Sequence, residues 1–212
     1  MKGNDIMNNI QRELDEFKKF KKEFKYNLTE VEEIDGVKMY KGEPLIDEEG
    51  KEKGETENWI NVGYKHSGPY AKALSNLFPY EFTFKGKKMQ CIETFFQGIK
   101  FKDPKLQDCV FSYKGLDSNY VQACSEYDWK KSGILYWQGK EINRFDTEYD
   151  DLVDELYISA IQNPLYRNIL ENCTKEIIHT MGAKEKCDTT FTRYEFEMEL
   201  NCLKEFLKKE SK

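Results

Sequence analysis

Three side chains able to do chemistry fall on one stripe of the segment Cys91–Lys102, CIETFFQGIKFK. Glu93, Gln97 and Lys100 stand at i, i+4 and i+7, the spacing of one helical face. Ile92, Phe95, Phe96 and Ile99 supply the apolar side of the same helix. At about 1.5 Å of rise per residue, Glu93 and Lys100 start roughly 10 Å apart, too far for an easy direct ion pair, with Gln97 between them. A carboxylate, an amide and an amine would then line one edge of a mostly buried helix. The carboxylate can pass a proton, and the amine, if unprotonated, can attack an electrophilic carbon. On spacing alone, a solvated polar face is the favoured reading of the pattern.

The flanking sequence must position that stripe. YEFTFKGKKMQ alternates apolar and polar residues around Lys85-Gly86, which predicts a hairpin feeding into the helix. Asp103-Pro104 predicts a helix stop and a new N-cap and N1. Upstream, Asn4 to Lys25 is amphipathic through Met7, Ile10, Leu14, Phe17 and Phe24, with Lys21 interrupting the stripe. So narrow a stripe predicts an arm over residues 1–26 that docks on the body and can be deleted without unfolding it, with one domain over residues 27–212. Asp35-Gly36 predicts a tight hairpin, Asp47 to Asn58 a mobile charged loop, and Trp59 to Val62 a strand.

Downstream, short helices are expected over Asp103–Tyr113 and Asp117–Cys124, and a turn at Gln138-Gly139-Lys140. A strong helix is expected over Thr147–Gln162, ended by Asn163-Pro164, and another follows it. Glu176–Thr180 reads as a short strand. Thr192-Arg193-Tyr194-Glu195 is a capping box that opens the last helix. The fold class is α+β, mainly helical, with small β-elements and no βαβ alternation.

Composition narrows the function. A net charge of −6 over 212 residues argues against general duplex binding, which draws its affinity from neutralised phosphates. The arginines are few: Arg12, Arg144, Arg167 and Arg193. Six cysteines without a CxxC pair, and His66 and His179 far apart, argue against a structural zinc site and for reduced thiols in a cytoplasmic protein. The chain has no apolar run of the ~20 residues that span a bilayer, and its polar N-terminus is no secretory signal. It has no GxGxxG, P-loop or GxSxG, and no cofactor is expected.

LSNLFP at Leu74–Pro79, the hairpin, and E-x-x-F-Q-x-x-K-F over Glu93–Phe101 together resemble the NADAR (YbiA-like) family, from about Pro69 to Leu207. The resemblance implies a single NADAR-like domain and an N-glycosidase acting on a ribosylated base or an ADP-ribosyl or phosphoribosyl compound. It implies Lys100 as a Schiff-base nucleophile, and Glu93 is the candidate acid/base. Asn76, Phe78 and Gln97 become candidates for substrate binding. YWQGK at Tyr136–Lys140 followed by Arg144 resembles a segment of one branch of that family, which adds Trp137 and Arg144. EIIHTMG adds His179 in the same way. The stretch HTMGAKEKCDTTFT lacks the Asp and Trp-Gly of the better-known branch, so substrate recognition on that wall is expected to differ. Free nucleotide and ADP-ribosylated nucleic acid both stay open as substrates, with the acidic balance favouring the small molecule. The rival reading is a module that binds ADP-ribose or NAD-like nucleotides without turnover.

Overall fold

The computed structural model describes residues 3–115, 117 and 128–210. Four tight turns organise its strands. At Asp35-Gly36, Lys41-Gly42, Lys85-Gly86 and Gln138-Gly139 both residues have positive φ, the primed geometry that matches strand twist. They shape a three-stranded antiparallel sheet of β1 (Glu32–Ile34), β2 (Val37–Tyr40) and β3 (Glu43–Pro44), and two hairpins. The first hairpin pairs β5 (Phe82–Phe84) with β6 (Lys87–Met89) and leads straight into the central helix, as the alternation predicts. The second pairs β7 (Ile134–Trp137) with β8 (Lys140–Asn143). One pairing is long-range and parallel: β4 (Trp59–Asn61) lies against β9 (Glu176–Ile178).

The central helix, α3, spans Ile92–Gly98. It is shorter than the apolar periodicity suggests, and Lys100 falls in the turn beyond it. Phe95 and Phe96 are buried, each side chain contributing about 1.5–3 kcal/mol of hydrophobic stabilisation. Gly98 lets the next helix close in, since a Cβ there would sit 2.4 Å from Phe111 Cε1. That helix, α4 (Pro104–Phe111), starts as expected, with Asp103 Oδ1 accepting from the Lys105 amide at 2.8 Å. The helix expected over Asp117–Cys124 lies outside the described residues beyond Asp117.

The remaining helices within the described residues are α1 (Gly3–Glu23), α2 (Pro69–Ala73), α5 (Trp129–Ser132), α6 (Thr147–Ala160), α7 (Pro164–Asn172) and α8 (Arg193–Glu210). The Thr192 capping box forms at α8: Thr192 N donates to Glu195 Oε2 at 2.7 Å, and Glu195 N to Thr192 Oγ1 at 3.2 Å. Helices and small sheets together enclose one large apolar core, with a satellite of Tyr40, Leu45, Trp59 and Ile178.

The N-terminal helix packs on the body, with Leu14 and Phe17 in the main core and the Phe17 ring meeting Phe206 edge-on at 5.5 Å. Two expectations are corrected. Lys21, read as an interruption of the stripe, is ion-paired with Asp154 of α6 and Glu199 of α8. The charged segment 47–58 is also tied down. Asp47 Oδ1 accepts from the amides of Glu49 and Lys51, and Glu55 Oε1 accepts from Tyr70 N at 2.6 Å and Ala71 N at 3.1 Å. Glu55 thus caps α2, whose own sequence brings Gly68 and Pro69 to its start and no capping side chain.

Candidate active site

A cavity of about 310 Å³ opens beside α3. Glu93, Gln97 and Lys100 line it, so the stripe faces a pocket and not bulk solvent. The three side chains form one hydrogen-bonded row. Gln97 Nε2 donates to Glu93 Oε1 at 2.6 Å, and Lys100 Nζ donates to Gln97 Oε1 at 2.8 Å. With Lys100 as an ammonium and Glu93 as a carboxylate, the amide must present its oxygen to the lysine and its nitrogen to the glutamate. The turn after Gly98 makes this row possible, because it folds Lys100 back to within reach of Gln97, with Lys100 N bonded to Gln97 O at 3.3 Å.

The electrostatics follow from the geometry. Burial pulls Lys100 down to about 8; Glu93 works against that shift and Lys130 adds to it. Burial raises the Glu93 carboxyl above its ordinary range, with Gln97 and Lys100 opposing. Cys91, one residue before the helix, is no rival nucleophile: burial pushes its thiol up to about 11.

Asn76 and His179 also line the cavity. The Asn76 carbonyl accepts from Glu93 N at 2.8 Å, and its Oδ1 accepts from Tyr157 OH at 2.8 Å. The side-chain amide is thereby oriented, and Nδ2 remains a donor with no protein acceptor among the described residues. His179 Nδ1 lies 2.8 Å from the Val62 carbonyl. Phe191, absent from the sequence-based candidates, stacks on Phe96 with centroids 4.9 Å apart and planes 19° from parallel, and both rings line the cavity.

Three expected substrate contacts lie elsewhere. Phe78 is not in the cavity lining; its ring packs on Tyr80 at 4.7 Å. Trp137 sits in a nest of rings, 4.9 Å from Phe84 and 5.7 Å from Phe111, where the apolar hairpin needs it. Arg144 is wholly buried, forked onto both carboxylate oxygens of Glu195, with Nε donating to Thr189 O at 3.1 Å. A guanidinium so engaged is no free phosphate clamp. Its link to Thr189, a cavity residue, makes it a positioning group. Tyr64, Thr190 and Phe191 also line the cavity, from irregular segments whose sequence carries no period to reveal them.

A family model for bacteriophage protein GP30.3 matches residues 68–205. The chain belongs to this family. An "Uncharacterized 17.1 kDa protein in Gp30-rIII intergenic region" of Enterobacteria phage T4 is 31% identical over 139 residues, 64% of this chain and 90% of that protein. No solved structure matches the chain significantly. The GP30.3 match overturns the likeness to NADAR (YbiA-like) proteins. The motifs behind that likeness are short, and a buried amphipathic helix with a bridging amide generates the same spacing without common descent. In this GP30.3-family protein α1, β1 to β4 and the cavity residues Val62, Gly63 and Tyr64 all precede the family-matched region. Among the described residues no helix is long and apolar enough to cross a membrane, and no group of three His, Cys, Asp or Glu side chains is placed to hold a metal ion.

Proposed function

We propose that the cavity is an active site that cleaves the N-glycosidic bond of a ribosylated base. Lys100 is the nucleophile at C1 and Glu93 the acid that protonates the departing nitrogen. One observation carries this reading: a buried amine lines a cavity and is held by a neutral amide, not by a carboxylate. An amide orients Nζ without strongly favouring its charged form, so the free amine is accessible near neutral pH. The stacked Phe96 and Phe191 suit the face of a base, and Asn76 Nδ2 suits a sugar hydroxyl. At about 310 Å³ the cavity is at the lower end of the ~300–1,000 Å³ of small-molecule sites, which favours one nucleoside-sized ligand over a dinucleotide.

The test is a screen of ribonucleosides and their 5′-phosphates for release of free base, with Lys100→Ala as control. Release by the wild-type chain and not by the variant supports the proposal. Tight binding of a nucleotide without release, unchanged in Lys100→Ala, would favour a non-catalytic binding module.

A further inference from the structure

Cleavage through an imine needs a second base, because water must be activated after the nucleobase has left. We propose that His179 is that base. The assignment rests on the Lys100 imine reading and goes beyond it by naming the group that runs the hydrolytic half.

The tautomer comes from a backbone contact. Val62 O can only accept, so the Nδ1 that lies 2.8 Å from it carries the ring proton, and Nε2 keeps its lone pair. Nε2 has no hydrogen-bond partner among the described residues, and the ring lines the cavity. The ring is also fixed in place. It packs on Phe196 at 4.8 Å, and Gly182 faces it so closely that a Cβ there would stand 2.8 Å from His179 Cδ2. The His179 amide donates to Glu197 Oε1 at 2.6 Å.

Its wall differs from that of the nucleophile. Ring contacts run from Phe96 to Phe191, then Phe196, then His179, all in the cavity lining. Lys100 lies in the turn after α3 and His179 just after β9, so two separate elements bring them to the one cavity. Arg193 and its ion-pair partner Glu197 on α8, and His66 and Glu52 from the segment before the family-matched region, are its charged or titratable neighbours. Burial first, then His66 and Arg193, hold the imidazole below its ordinary range, against the Val62 hydrogen bond and Glu52. The residues that set the tautomer also precede that region: Val62 gives the carbonyl, and Asn61 pins Thr180 through N at 3.1 Å and Oγ1 at 2.8 Å.

The chemistry balances without an oxidant or reductant. Lys100 Nζ bonds to C1 as the C1–N bond to the base breaks; its electron pair leaves on the base nitrogen, which takes the Glu93 proton. The ring oxygen then leaves C1, taking a proton from Nζ, to give the iminium. Water adds to C1 and gives a proton to His179 Nε2. That proton passes to Nζ as the C1–Nζ bond breaks, and the C1 hydroxyl returns a proton to Glu93.

The hydrolytic half can be tested with D-ribose alone. Its aldehyde form and Lys100 enter the same iminium, and each cycle in H₂¹⁸O exchanges the C1 oxygen. Wild-type protein should accelerate ¹⁸O incorporation, and borohydride should trap a ribose adduct on Lys100. His179→Asn should keep the adduct and lose the exchange by about 10²-fold or more, and added imidazole should restore exchange in His179→Ala. Rescue separates a proton-transfer role from a purely structural one. Wild-type exchange in His179→Asn, with the adduct intact, would overturn the assignment while sparing Lys100. Loss of both exchange and adduct in that variant, with no imidazole rescue, would assign His179 a structural role and overturn it too. No adduct and no exchange in the wild-type chain would overturn the imine reading and the assignment with it.

Discussion

Among the described residues three lysines are largely withdrawn from water, Lys21, Lys100 and Lys204, and the first two are poised oppositely. Lys21 stands between Asp154 and Glu199. Burial disfavours its charge, yet the pull of the two carboxylates outweighs burial and holds it above the ordinary lysine range. Lys100 is 5% exposed, meets only the Gln97 amide among its described hydrogen-bond partners, and falls to about 8. Burial is common to both. The difference is the identity of the nearest partner, a carboxylate in one case and an amide in the other. One lysine is thereby a tie between α1, α6 and α8, and the other an amine beside a cavity.

The largest effect should come from removing the amine. Lys100→Ala should abolish base release, and Lys100→Arg should not restore it, because a guanidinium keeps its proton and cannot attack. An active Lys100→Arg chain would mean that Lys100 supplies only charge.

Glu93→Gln should slow turnover by about 10²–10⁴-fold with substrate binding retained. The sign of the pH dependence follows from the pair. The reactive state has Lys100 unprotonated and Glu93 protonated, so turnover needs one proton shared between them. The rate should rise through the raised Glu93 value and fall as pH passes about 8. Glu93→Gln should remove the alkaline fall and leave a residual rate that rises through the Lys100 value to a plateau; a profile unchanged by that variant would take Glu93 out of the mechanism.

Gln97→Glu would convert the surroundings of Lys100 into those of Lys21. A carboxylate against Nζ should return the amine to the ordinary range or above, cutting borohydride trapping at pH 8 by about 10²-fold, one factor of ten for each unit of pKa. Unaltered trapping would show that the bridging amide is not what sets Lys100 apart.

Lys21→Met should move stability and leave the chemistry alone. Stranding two buried carboxylates costs about 3–5 kcal/mol, a loss of about 2–4 °C in Tm per kcal/mol for a chain of this size. Because the folded-state value of Lys21 is raised, its stabilisation is fully present below the unfolded value of ~10.4 and is lost as pH rises through the folded value. Base release per folded molecule should stay within a few-fold of wild type. The smallest effect is expected from Phe78→Leu, which should leave KM unchanged because that ring is outside the cavity lining.

How much of this was legible in the chain depends on periodicity. Glu93, Gln97 and Lys100 could be read as one face, and Lys85-Gly86, Asp103-Pro104 and the Thr192 capping box announced local structure that forms. The end of α3 at Gly98 was not legible, because it reflects the approach of Phe111 from another helix. Nor was the role of Lys21, whose two partners lie 133 and 178 residues away. Phe191 and Tyr64 come from irregular segments that only the tertiary fold brings to the cavity. Arg144 and Trp137 were drawn in by short-motif likeness; their real partners, Glu195 and a nest of rings, satisfy them internally.

The contrast between the two lysines is most directly tested by titrating them in the folded protein. In ¹³C-labelled lysine, the Cε resonance of each, assigned through Lys100→Arg and Lys21→Met, reports its own protonation. Lys100 should titrate at about 8, while Lys21 stays charged through the ordinary range. A Lys100 that titrates at ~10.4, like a free lysine, would contradict the claim that the cavity holds a ready amine.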